Sequence, residues 1–201
     1  MPRINAEYRE DAKKKIFNAA LDVAAEQGWT SVTLEAIAQK VGVTKGAFYS
    51  YFPNSNSLMQ EVMLFMIRKL RNHVVDDLTG EDDIHAALDR IAAFFFLQPK
   101  PFIPVFIQAI STMPKDAVFQ EKISALFDEN SHLIITALTR YQERGRIPRE
   151  VDLTHAARAL YGLTMGLGIM THVVGKDPKA CRDTWIMGVG RILMLEPRNR
   201  K

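Results

Sequence analysis

Cysteine is nearly absent: Cys181 is the one example in 201 residues. A single thiol excludes an intramolecular disulfide framework and points to a reducing compartment. The first 15 residues are mostly polar and hold no apolar signal region, so a cytoplasmic protein is expected. Long apolar runs are also missing. The longest uncharged stretch, residues 159–175, is short of the roughly 20 residues of a comfortable membrane span and carries three glycines in its middle. A buried helix is the expectation there, with no membrane partner. Catalytic signatures are lacking too. There is no G-x-S-x-G, no phosphate-binding glycine loop and no paired Cys or His at metal-ligand spacing. His85, His132, His155 and His172 are dispersed, and Asp128 with His132 on one helix face reads as a local polar contact. No catalytic residue, metal or cofactor is expected, and the chain is not read as an enzyme. Finally, no strong charge of one sign is present: the net charge is +3, with a modest basic excess in the first third. Such an asymmetry suits a polyanion partner for that third, although a solvated charged face has the same composition.

What is present is helix. Apolar residues recur at helical spacing in Ile16, Phe17, Ala20, Leu21 and Ala24, and Gly28 stops that run. Thr33 is placed to cap "LEAIAQKV", with Glu35 in its positive first turn. Asn54 or Ser55 can cap a long helix over about 55–72 that aligns Leu58, Val62, Phe65 and Met66. Further helices are expected from about 80 to 97, 103 to 112, 115 to 144, 153 to 174 and from Pro178 to about Leu195. Sustained period-two alternation is missing, so the expected class is all-α with about nine helices.

The stretch "TLEAIAQKVGVTKGAFYSYF" carries the functional signal. Two short helices flank a turn at Gly42, a residue able to take the left-handed backbone such a turn requires. Ala38 is small where the helices cross, Phe48 plugs the crossing, and Ile37, Val41 and Val43 are expected to complete a miniature core. This is the pattern of a helix-turn-helix, whose second helix enters a DNA major groove. Thr44 caps that helix and is positioned for phosphate, and Lys45 supplies charge or a guanine contact. Gly46 and Ala47 keep the helix slim enough for close approach to base edges. Phe48 and Phe52 are expected inside with Tyr51 bridging, while Tyr49 projects toward phosphate. The candidate DNA-binding residues are Thr33, Thr44, Lys45, Gly46, Ala47, Tyr49, Ser50 and Ser55.

Residues 10–58 resemble the DNA-binding domain of the TetR (tetracycline-repressor-like) family of regulators. The matching positions are Gly28-Trp29, Thr33, Ile37-Ala38, Gly42-Val43, Gly46, Phe48-Tyr49 and Phe52. One departure stands out: the family places a lysine just inside the following helix, where this chain has Ser55. A backbone amide at that helix N-terminus can still hold a phosphate. The resemblance implies a helix-turn-helix domain over 1–54 and a variable effector-binding and dimerisation domain over 55–201. It further implies a double-stranded DNA operator, a small-molecule effector and a homodimer.

Two features of the second part agree independently. Gly162, Gly166 and Gly168 in one helix, and Gly188 and Gly190 in the last, clear helix surfaces at a cost of about 1 kcal/mol each relative to alanine. Close helix packing is the natural compensation, either in a dimer through the last two helices or within one chain. Bulky, adaptable side chains suggest a cavity, with Met66, Phe95, Phe106, Ile110, His132, Tyr161 and Met165 as candidate effector-binding residues and Gln108 as a further polar anchor. With no buried-looking charge cluster among them, the effector expected is apolar or aromatic. The function expected is a ligand-responsive transcriptional repressor. The alternative is a helical small-molecule or lipid-binding protein, or an enzyme, using the same cavity.

Overall fold

The computed structural model describes residues 2–99, 102–112 and 116–196, with side chains for all of these except 2–8, 45 and 47. Every regular element among them is helical. In chain order they are α1 (Pro2–Gln27), a 3-10 turn (Trp29–Ser31), α2 (Leu34–Val41), α3 (Lys45–Phe48), α4 (Ser55–Thr79), α5 (Ile84–Phe96), α6 (Phe102–Ser111), α7 (Ala117–Glu143), α8 (Leu153–His172) and α9 (Pro178–Ile192). No helix among the described residues is long and apolar enough to cross a membrane.

The helix boundaries follow from side chains that satisfy free backbone groups. Thr33, Asp83, Asp152 and Asp177 each accept from backbone N–H groups in the first turn of the following helix. Asn54 does the same for α4, accepting from the Ser57 N–H at 2.8 Å. Gly28, Gly42 and Gly145 carry positive φ just past helix ends. Helix α4 runs seven residues beyond the expected end near 72, to Thr79. Nothing between 73 and 79 breaks a helix, and Gly80 closes it by donating to the Asp76 carbonyl.

The chain forms two compact units: Met1–Ile67 with Val105–Phe119, and Arg68–Pro104 with Gln120–Lys201. The first half of α4 and most of α6 fall in the unit of the N-terminal helices.

In the first unit, α1 buries Ile16, Phe17, Ala20, Val23 and Ala24 on one face. Ile37 and Ala38 of α2, Trp29, Phe48 and Phe52 are buried as well. Phe17 is the central ring, 5.8 Å from Phe52 and 5.2 Å from Phe65. It therefore fixes the end of the α3 segment and the flank of α4 to one helix. Truncating a buried aromatic of this kind costs about 3–5 kcal/mol.

In the second unit, α5, α8 and α9 form the centre. Trp185 is fully buried, 6.4 Å from Phe96, and its Nε1–H donates to Thr164 Oγ1 at 2.8 Å. Arg182 of α9 pairs with Asp89 of α5 at 3.0 Å. His172 Nε2 lies 2.8 Å from the Phe95 carbonyl, so that nitrogen carries the proton and satisfies a free carbonyl of the last turn of α5. Buried Tyr141 sits with its hydroxyl 2.8 Å from the Leu78 carbonyl and 2.5 Å from that of Glu81, holding the end of α4 and the loop after it.

The helical faces of α8 have separate tasks. Tyr161, Met165, Gly168 and His172 share one face, which meets Ile103 at Gly168 and Phe95 at His172. Thr164, Leu167 and Thr171 are buried, Thr164 against Trp185. Gly162, Gly166, Ile169, Met170 and Val173 are exposed on a third face. The five helix glycines accordingly split. A Cβ on Gly168 would collide with Ile103 Cδ1, and one on Gly188 would come 2.9 Å from Leu163 Cδ2, so these two serve packing within the chain. A Cβ on Gly162, Gly166 or Gly190 would meet nothing within 4 Å.

Candidate nucleic-acid interface and effector-binding residues

The turn between α2 and α3 sets the geometry. Gly42 adopts φ 76°, ψ 31°, the left-handed region that a Cβ disfavours. The Ala38 carbonyl accepts from both the Gly42 and Val43 N–H groups, at 2.9 and 3.1 Å. This pair of hydrogen bonds wraps the chain back over α2 and turns Val43 outward. Val43 is 41% exposed and Val41 is half-buried, so neither completes the miniature core as expected. That core is Ile37, Ala38, Phe48 and Phe52.

Beyond the turn, α3 makes one helical turn over Lys45–Phe48, shorter than expected for a recognition helix. Residues 49–51 continue as turn, with the Tyr51 and Phe52 N–H groups both donating to the Phe48 carbonyl at 2.9 Å. Phe48 and Phe52 point inward, Tyr51 is half-buried and Tyr49 is 54% exposed. Thr33, Thr44, Gly46, Ser50 and Ser55 are exposed too. The side chains of Lys45 and Ala47 lie outside those described. A Cβ on Gly46 would meet nothing within 4 Å, so the leading turn of α3 has open space above it. Thr33 Oγ1 accepts from the Ala36 N–H at 3.1 Å, which leaves its hydroxyl hydrogen for an outside acceptor. Short hydroxyl side chains on an exposed turn, with a lysine at its start, are suited to phosphate oxygens and base edges.

Sequence reasoning missed the basic residues of α1. Arg9 Nη2 donates to the Ser50 carbonyl at 2.8 Å, and its guanidinium lies 5.7 Å from the Tyr51 ring centre. Lys13 pairs with Glu61 of α4 at 3.1 Å and lies 5.3 Å from the Phe52 ring centre. Lys40 of α2 pairs with Glu26 of α1 at 2.9 Å. Part of the basic excess of the first third thus fastens the unit together. A basic residue spaced to reach an aromatic cluster was the available signal, but its partner lies 41 residues away in sequence.

The candidate effector-binding residues divide between the two units. Met66, Phe106 and Ile110 fall in the first, where Met66 and Phe106 are buried and Ile110 is 39% exposed. Phe95, His132, Tyr161 and Met165 fall in the second. His132 is on the surface of α7, a poor place for a buried polar anchor. Gln108 is also committed elsewhere, accepting from the Trp29 N–H at 2.8 Å. Tyr161 is different. Its ring meets Phe127 edge-on at 6.1 Å, and burial pushes its phenol up to about 12, against the opposing pull of Ser131 and Arg71. It is a neutral donor at any physiological pH.

Residues 16–62, which contain α2, α3 and the start of α4, match the family model for bacterial regulatory proteins of the tetR family. This segment is a TetR-family segment. The whole chain is similar to the HTH-type transcriptional regulator SrpR of Pseudomonas putida, 28% identical over 201 residues, covering 98% of this chain and 92% of that one. The HTH-type transcriptional regulator TtgR, also of Pseudomonas putida, is 25% identical over 180 residues, covering 83% of each. Similarity of fold extends through the second unit. A crystal structure of a TetR transcription regulator from Haloarcula marismortui superposes with a TM-score of 0.71 at 17% identity, covering 93% of this chain and 100% of that one. The left-handed Gly42 and the buried Phe48 and Phe52 all lie inside the matched segment.

Proposed function

We propose that this chain is a ligand-responsive transcriptional repressor, acting as a homodimer on a palindromic DNA operator. The observation that carries the reading is the surface at α3: Thr33, Thr44, Gly46, Tyr49 and Ser50 exposed over a sealed core of Phe48 and Phe52, within the TetR-family segment. Two such surfaces in a dimer address major grooves one DNA turn apart, about 34 Å. Lys45 and Tyr49 read or grip the duplex, Thr33, Thr44, Ser50 and Ser55 position it through phosphate, and Gly46 with Ala47 permits close approach.

The outer face of α8 and the matching face of α9 supply the dimer contact. Ile169, Met170, Val173, Val174, Met187 and Met194 are exposed there, beside the open Gly162, Gly166 and Gly190. Effector binding in the second unit shifts the population of DNA-competent dimers. Helix α4 is one continuous element with its first part in one unit and its second part in the other, so it is the simplest carrier of that shift. An effector that binds the released state about 100-fold more tightly contributes about 2.7 kcal/mol, enough to switch most operator occupancy.

The test is fluorescence anisotropy with labelled DNA from upstream of the gene. Wild-type protein should bind it in preference to scrambled DNA. The double substitution Lys45→Ala, Tyr49→Ala should abolish that preference, and retained specific binding would show that the DNA-reading surface lies elsewhere.

A further inference from the structure

We propose that Arg71, Asn130 and Tyr161 form an anion anchor inside the second unit, which takes the carboxylate of an apolar organic acid. This rests on the reading that the second unit receives an effector, and it makes that effector's chemistry specific.

Buried polar side chains are few among the described residues: Asn130, Thr164 and Thr171. The two threonines bond to carbonyls of their own helix, at Leu160 and Leu167. Asn130, 2% exposed, is different because its Oδ1 accepts across helices from Arg71 Nη1 at 3.3 Å. Arg71 is itself largely enclosed, its side chain 12% exposed. A guanidinium in such a place is costly unless its hydrogens and its charge are matched.

The matching is unequal. Nη1 also donates to Glu129 Oε1 at 2.7 Å, and the Glu129 side chain is 56% exposed. One partner is a fixed buried amide and the other is a carboxylate at the solvent boundary. Glu129 can return to water at little cost, because ion pairs with an exposed member contribute little. An incoming carboxylate can then take its place on the same nitrogen. Among the described residues the bonds of Arg71 run from Nε, to Asn72, and from Nη1, which leaves the Nη2 hydrogens for a second acceptor. Carboxylates are recognised by a guanidinium in this two-toothed manner.

Tyr161 and Phe127 give the anchor an apolar wall. Their rings meet edge-on at 6.1 Å, and Met165 follows one turn after Tyr161 on the same face of α8. Phe127 and Asn130 stand three residues apart on α7, so the ring that Tyr161 meets lies on the same stretch of helix as the buried amide. A positive group beside an aromatic wall selects an acid with an apolar body over a neutral molecule of the same shape. The apolar effector expected from sequence is thereby revised to an apolar acid.

The experiment is a thermal-shift and calorimetric titration of the full-length protein with matched acids and amides: 1-naphthoate and 1-naphthamide, 4-phenylbutyrate and its amide, decanoate and decanamide. At least one acid should bind tenfold or more tightly than its amide. In Arg71→Gln the preference should fall below threefold. Glu129→Gln, altered at an exposed side chain, should tighten acid binding because the competing carboxylate is gone. The anchor is overturned if no pair favours the acid, if the preference survives Arg71→Gln, or if Glu129→Gln leaves acid affinity unchanged or weaker. Operator binding without compounds judges the repressor reading separately, and release of DNA by the amides as readily as by the acids would sink the anchor while leaving that reading in place.

Discussion

The Arg9 guanidinium donates to the main-chain oxygen of Ser50 over 2.8 Å and lies against the Tyr51 ring, so the first helix holds the far end of the segment that begins with α3. Helix α3 is one turn long, and a single turn has little stability of its own. Its direction depends on what clamps it at both ends. At the start this is the Gly42 turn on the Ala38 carbonyl, and at the end it is Arg9 from outside with Phe17 against Phe52 from inside.

Arg9→Ala should therefore weaken operator binding through misplacement of Tyr49 and Ser50. A charge-assisted bond at an exposed site is worth about 1 kcal/mol, which corresponds to roughly fivefold in affinity. The salt dependence decides the role. Loss of a phosphate contact reduces the slope of log affinity against log salt by about 1, whereas loss of a positioning bond leaves it unchanged. An unchanged slope is expected, and a slope reduced by a full unit would make Arg9 a direct phosphate ligand.

Gln108 makes a tie across 79 residues within the first unit, accepting from the Trp29 N–H at 2.8 Å. Gln108→Ala should lower stability by about 1–2 kcal/mol in urea denaturation, because that N–H loses its acceptor next to a buried indole. Gly28→Ala should be at least as harmful. Its φ of 87° is strained for any Cβ, and the new Cβ would stand 3.3 Å from Gln108 Oε1. Gln108→Glu, which keeps an acceptor in place, should recover most of the loss. If Gln108→Ala is neutral, the bond is not holding the turn.

The features legible in the sequence are those fixed by close neighbours along the chain. Thr33 and Asn54 announce helix starts because their caps reach only three residues ahead, and Gly42 announces a left-handed turn because few other residues tolerate one. The inward Phe48 and Phe52 and the outward Tyr49 follow from local spacing alone. What the sequence does not show depends on contacts that residue type alone does not give, most of them with distant partners. Val43 looked like core because it is apolar, yet the Ala38 carbonyl turns it to solvent. The pairing of Arg9 with Ser50 spans 41 residues, that of Arg71 with Asn130 spans 59 and that of Trp29 with Gln108 spans 79. No local pattern encodes such distances. His132 and Gln108 are expected as polar anchors by residue type, and the sequence does not show that one stands on a surface and the other accepts from Trp29.

The split among the helix glycines gives a test with opposite signs at two positions two residues apart. Gly166 has open space where a Cβ would stand. Gly166→Ala should stabilise the isolated subunit by up to about 1 kcal/mol through helix propensity. If the outer face of α8 is the dimer contact, the same change should raise the dimer dissociation constant in analytical ultracentrifugation. Gly168→Ala should instead destabilise the subunit, since Ile103 occupies the space, and should leave the contact face untouched. A dimer indifferent to Gly166→Ala and to the bulkier Gly166→Leu would move the interface away from α8.

Tyr161 predicts how stability changes at high pH. Its phenol is pushed up to about 12 by burial, above the value near 10 that an unfolded tyrosine keeps. The folded protein thus binds the phenolic proton more tightly than the unfolded chain does. The stabilisation this gives is fully present below about pH 10 and is lost as pH rises from there to about 12. In Tyr161→Phe the decline of stability across that window should be shallower than in wild type, as read from urea midpoints at successive pH values. Tyr141 is also raised by burial, so Tyr141→Phe should remove a further part of the decline. In the folded state the phenolate absorbance of Tyr161, taken as the difference between wild type and Tyr161→Phe, should rise only close to pH 12. A rise centred near 10 with the protein still folded would place the phenol in water, and the apolar wall assigned to it beside Phe127 would not exist.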